Sequence, residues 1–162
     1  MTQHLTDIHL QVLVFMSLLG EATEYDVAHV SDLPAEDCEA EFLDLAATGL
    51  AKWGGGSAGW RITDLGRAEH AKRVRRELDA LEHDEPGTEA LVRATLDAVT
   101  RAGGDSGDDQ AAVLAATDAL VARMRRFGAY SRRLAAAARG EGDEKWADVR
   151  DMLVTDLELT LG

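Results

Sequence analysis

The sequence predicts a mainly α-helical protein with a single β-hairpin, and three observations carry that expectation. Apolar residues recur at helical spacing through most of the chain, beginning with Leu5, Ile8, Val12, Phe15 and Leu19. Alanine and leucine are abundant while aromatic residues make up only 5% of the chain, which favours helices packed on helices. The clear departure from helical periodicity is LAKWGGGSAGWRITDLG, residues 50–66, where two short β-prone pieces flank a glycine-rich tip.

The elements follow in order. Leu5–Leu19 is apolar enough to form a first helix that is largely buried, and Gly20 ends it. Thr23 is placed to cap a short second helix, Glu24–Val30, with Asp26 favourable in its first turn and Val27, Ala28 and Val30 facing inward. Ser31-Asp32-Leu33 reads as a tight turn. Pro34 then sits in the first turn of a third helix, Pro34–Thr48, where its missing N–H breaks no bond. Cys38, Phe42, Leu45 and Ala46 form the apolar stripe of that helix, Gly49 caps its end, and Leu50 packs back. Strands Leu50–Trp53 and Gly59–Thr63 make the hairpin, and a fourth helix runs from Asp64 to about Glu82. Helix, helix–turn–helix, hairpin, helix is the order of a winged helix-turn-helix, so residues 1–83 are expected to be such a domain, with the hairpin as its wing.

Asp84-Glu85-Pro86-Gly87 marks the boundary to an all-helical C-terminal region, residues 84–162. Thr88 is expected to cap a helix reaching about Ala102, and Gly103–Gly107 is a loop. A longer helix follows from Asp109 to about Arg126, with Val113, Leu114, Ala116, Leu120, Val121 and Met124 on its apolar side and Gly128 as an interruption. Tyr130–Arg139 continues helical, and Gly140–Gly142 breaks the chain. The last helix, Lys145–Leu161, places Trp146, Val149, Met152, Leu153, Leu157 and Leu161 on a wide apolar face, expected to pack on the first helix or on a second copy in a homodimer.

Charge is distributed unevenly. The chain carries a net −13, yet residues 1–51 hold ten acids and no lysine or arginine. The third helix alone carries Glu36, Asp37, Glu39, Glu41 and Asp44. Phosphate neutralisation supplies most of the non-specific affinity for nucleic acid, so this half is poorly suited to DNA.

Bases appear around and after the hairpin: Lys52, Arg61, Arg67, Lys72, Arg73, Arg75 and Arg76 are the candidate DNA or anion contacts. The competing reading is a solvated helix face that balances the acidic third helix. A second group, Arg123, Arg125, Arg126, Arg132, Arg133 and Arg139, is interleaved with Phe127 and Tyr130 and contains no acid. From it Arg125, Arg126, Tyr130, Arg132 and Arg133 are the candidate partner or ligand contacts. Here the competing reading is a packing partner for the acidic first half.

Other chemistry is weakly signalled. Cys38 lies on an apolar stripe among acids and reads as a small buried hydrophobe rather than a reactive thiol. His4, His9, His29, His70 and His83 have no metal-ligand spacing, so no metal or cofactor is expected. Trp53 and Trp60 are placed to pair across the hairpin. Gly54-Gly55-Gly56 lacks the lysine and helix of a phosphate loop, no motif orders a catalytic triad, and no catalytic residue is assigned. No apolar run is long enough to span a membrane and no secretory signal is read. A single cysteine suits the cytoplasm.

Leu45-Ala46-Ala47-Thr48-Gly49-Leu50, the glycine tip, and Trp60-Arg61-Ile62-Thr63-Asp64-Leu65-Gly66-Arg67 resemble MarR-type winged-helix regulators over residues 5 to about 82. Arg126-Phe127-Gly128-Ala129-Tyr130-Ser131-Arg132-Arg133-Leu134, Gly142-Asp143, Trp146 and residues 157–162 extend the likeness to small winged-helix proteins whose related segments occur fused to pyruvate phosphate dikinase-like enzymes. The resemblance implies a dimeric transcriptional regulator touching DNA through the wing and fourth helix. The acids of the third helix depart from that pattern. They leave open a module that docks on a protein partner instead, or a scaffold whose helical half binds a small molecule or catalyses a reaction.

Overall fold

The computed structural model of the chain describes residues 3–162. Eight α-helices and one small antiparallel sheet follow one another along it. Contacts group them into two compact units, one of Thr6–Val74 and one of Arg75–Gly162 with the segment ending at Leu5. The expected boundary at residues 83–84 instead falls inside the second unit. The fourth helix, α4 (Asp64–Asp84), is continuous, so the division between units passes through it.

In the N-terminal unit, α1 (Ile8–Leu19) starts at Asp7, whose carboxylate accepts from the His9 amide at 2.9 Å. Its residues Val12, Leu13, Val14, Phe15 and Met16 are consecutive and all buried, so it has no solvent face along that run. Thr23 caps α2 (Glu24–Ser31) in a reciprocal box with Asp26, each side chain taking up the other's free amide. Asp32 closes α2 in the left-handed region at φ 64°, a conformation that short polar side chains tolerate. Pro34 stands just outside α3 (Ala35–Ala47) as its N-cap. Cys38, Phe42 and Leu45 form the buried stripe of α3.

The sheet has three strands rather than the two of a hairpin. A short strand that periodicity does not predict, β1 (Glu21–Ala22), lies on one edge of it. The hairpin pairs β2 (Ala51–Trp53) with β3 (Trp60–Ile62) in the register Ala51↔Ile62, Lys52↔Arg61 and Trp53↔Trp60, and β1 joins the other edge of β3. Two residues are too few to show alternation. The strand is legible instead at Gly59, where φ is +71° and a Cβ would lie 2.6 Å from the Ala22 carbonyl oxygen. Glycine there admits the neighbouring backbone.

The C-terminal unit packs α5 (Thr88–Arg101) against α6 (Gly107–Val121) and α8 (Trp146–Leu161), with α7 (Gly128–Ala138) against α6 and α8. Thr88 is not the cap of α5. It is buried and donates to the Glu85 carbonyl, while Gly87 takes the cap position and Glu82 accepts from the amides of Gly87 and Glu89. α6 stops at Val121 instead of reaching Arg126, because Met124 is extended and bridges to His4. His4 donates its amide to the Arg123 carbonyl and accepts from the Arg125 amide. A 3-10 turn, Arg125–Phe127, then leads into α7, which Gly128 opens rather than interrupts. Trp146, Val149, Leu153 and Leu157 of α8 are buried, and α8 packs on α5 and α7. Four of the six residues of the apolar face of α8 are thus covered within their own unit, while Met152 and Leu161 stay half-buried. No helix among the described residues is long and apolar enough to cross a membrane.

Candidate functional site

The outward face of α3 is set by its buried stripe. With Cys38, Phe42 and Leu45 inside, helical spacing turns Glu36, Asp37, Glu39, Ala40, Leu43, Asp44 and Ala47 to solvent. Four of these seven are carboxylates and none is basic. Leu43 stands among them 58% exposed. Beside α3 in this unit is the hairpin, where Trp53 and Trp60 meet edge to face with centroids 5.4 Å apart, and Phe42 lies 5.9 Å from Trp60. Trp53 is itself 57% exposed, so the pair fastens the hairpin and still leaves an indole in solvent.

The bases expected to make a contact surface are largely engaged within the fold. Arg61 donates to Glu21 at 3.1 Å, which ties β3 to β1. Arg67 reaches the Ser17 carbonyl at 3.4 Å. Lys72 and Arg73 share the Glu69 carboxylate at 3.4 and 3.8 Å. Arg75 belongs to the other unit, where it pairs with Asp79 and Glu89 and donates to the Leu161 carbonyl. Lys52 and Arg76 are exposed and have no ion pair among the described residues. Five of the seven bases thus make a contact within the chain, and Arg61, Arg67 and Lys72 among them stay exposed.

The second basic group is not one surface. Arg125 and Arg132 are exposed, but Arg126, Tyr130 and Arg133 are buried, which removes all three as contacts for a partner. Arg126 donates to both oxygens of Asp156 at 2.8 and 2.7 Å and to Thr160 at 2.8 Å, and the Tyr130 hydroxyl donates to Asp156 at 2.9 Å. Burial works against the Arg126 charge, yet the Asp156 and Glu77 carboxylates outweigh it and hold its pKa above the ordinary value. Burial, then the Asp156 charge, pushes the Tyr130 hydroxyl well up. Arg133 forks onto Glu144, Arg123 pairs with Glu85, and Arg139 with Glu141. These counter-charges come from the C-terminal unit itself rather than from the acidic first half.

Compared with models of protein families, with curated proteins and with solved structures, the chain matches none.

Cys38 is fully buried, and burial, then the neighbouring Asp37, pushes its thiol up to about 11. Sequence spacing missed one constellation. His9 Nδ1 of α1 lies 2.5 Å from a carboxylate oxygen of Glu41 of α3, within hydrogen-bond distance, with Asp44 beside them. His9 and Glu41 lie 32 residues apart in sequence, so only the packing of α1 on α3 brings them together.

Proposed function

We propose that Thr6–Val74 is a winged-helix-type module that docks on a protein partner through the exposed face of α3, rather than a domain that reads DNA. The observation that carries this reading is the composition of that face: four carboxylates around an exposed leucine, with no base on the helix. Carboxylates brought against a phosphate groove lose water and meet repulsion, whereas a basic protein surface with an apolar pocket offers them counter-charge and Leu43 a place to be buried. The order of helices and hairpin supports the winged-helix assignment. The internal pairing of Arg61, Arg67, Lys72 and Arg73 supports the loss of phosphate contacts.

A photocrosslinking residue at position 43 tests the proposal. Irradiation in cells should give a protein adduct, and the adduct should disappear when Glu36 and Glu39 are replaced by lysine in a chain that stays folded. A nucleic-acid adduct from position 43, or an unchanged protein adduct after charge reversal, would defeat it.

A regulator reading, in which DNA is touched by the wing, draws its support from Lys52 and Trp53, which are both exposed on β2. The same crosslinker at position 52 separates the readings: nucleic acid there favours the regulator.

A further inference from the structure

We propose that His9, Glu41 and Asp44 form a binding site for a divalent transition-metal ion of the zinc class. The imidazole and two carboxylates offer one donor atom each, and these atoms all lie within 4.8 Å of one another. Glu41 and Asp44 are three residues apart on α3 and so share one face of it, while His9 projects from the first turn of α1. The site therefore spans two helices that pack directly on each other.

Two features of the chain favour a metal over a simple salt link. Residues 1–51 contain no lysine or arginine, so neither α1 nor α3 supplies a fixed positive charge for these carboxylates. Among the described residues Glu41 pairs with His9 alone, and the Asp44 carboxylate forms no ion pair. A divalent ion there would supply the missing counter-charge and be bound by both carboxylates and an imidazole nitrogen.

The donor set selects the class of ion. Imidazole suits zinc, cobalt and nickel, whereas magnesium and calcium take oxygen donors. Three protein donors leave the fourth position of a tetrahedral ion to water.

The test uses the full chain stripped of metal and titrated calorimetrically with zinc chloride at neutral pH. One ion should bind per chain with saturation, and magnesium chloride at the same concentrations should give no saturable heat. Asp44→Asn should weaken zinc about tenfold or more. Asp44 is exposed and its side chain forms no hydrogen bond among the described residues, so this variant is expected to fold. His9→Gln should abolish zinc binding, with circular dichroism checking its fold. If it unfolds, the Asp44 variant decides alone. Equal zinc affinity in wild type and Asp44→Asn would overturn the site. Saturation by magnesium as tight as by zinc would also overturn it, because a chain of this net charge gathers cations on its surface.

Discussion

Arg126 and Asp156 are both withdrawn from solvent, and each is satisfied mainly by the other. Removing one partner leaves a buried charge uncompensated, which costs far more than the pair contributes against a well-packed apolar substitute. Asp156→Ala is therefore expected to lower the unfolding free energy by about 3–5 kcal/mol, read from urea denaturation. Tyr130→Phe removes only one donor to the carboxylate and should cost about 1.5–3 kcal/mol. Similar losses for the two would show that the ion pair does not dominate the stability of this buried cluster. Cys38 makes a separate claim on pH. Its folded thiol titrates at about 11 against an ordinary 9.0, so the folded state holds its proton more tightly than the unfolded state does. That contribution is intact below pH 9.0 and is lost as pH rises toward 11. Stability should decline across this window, and the decline should be shallower in Cys38→Ala than in wild type once both are compared with their own values at about pH 8.

At the scale of the element, the ends of helices separate what sequence spacing can and cannot give. The Thr23 cap, the favourable place of Asp26 in the first turn and the termination at Gly20 were legible, because each uses a local residue in a familiar position. The start of α5 was not. Thr88 looks like a cap but is buried, and the amides are taken instead by Glu82, which reaches forward from α4. Those two amide bonds hold its carboxyl below the usual value. The stability it gives is present above the ordinary carboxyl pKa of 4.5 and is lost as pH falls below it. Glu82→Gln should accordingly speed hydrogen exchange of the Gly87–Leu91 amides at neutral pH, and unchanged protection would remove Glu82 from this role. The end of α6 was illegible for a different reason: periodicity continued to Met124 and Arg126, but pairing with the distant His4 holds Met124 extended. Gly66 shows the converse case. It reads as an ordinary helix-start residue, yet a Cβ there would lie 2.2 Å from the Leu50 carbonyl oxygen and 2.5 Å from Ile62 Cδ1. Gly66→Ala should destabilise the joint between sheet and α4 by about 1–3 kcal/mol in a thermal or urea melt, since neither backbone nor core can retreat freely.

At the scale of the whole molecule, charge decides which surfaces can be used. The totals were readable from the sequence, as was the acidity of the third helix. How far the cations would be occupied was not, because pairs such as Arg61 with Glu21 and Arg133 with Glu144 depend on which elements meet. Once those pairs are made, few cations are left to release counterions from a duplex. Binding to random DNA at physiological salt is expected to be no tighter than about 10⁻⁴–10⁻⁶ M, with a shallow salt dependence. Replacing Lys52, Arg61 and Arg67 together by alanine should leave that weak binding and its salt slope nearly unchanged, because Arg61 and Arg67 each already donate to a partner within their own unit. Fluorescence anisotropy over a range of salt concentrations measures both quantities. Nanomolar affinity, or a slope that falls by about three phosphate contacts in the triple variant, would mean that the hairpin cations leave their internal partners for phosphate. The acidic face of α3 would then have to lie away from the duplex, and the protein-docking assignment would fail with it.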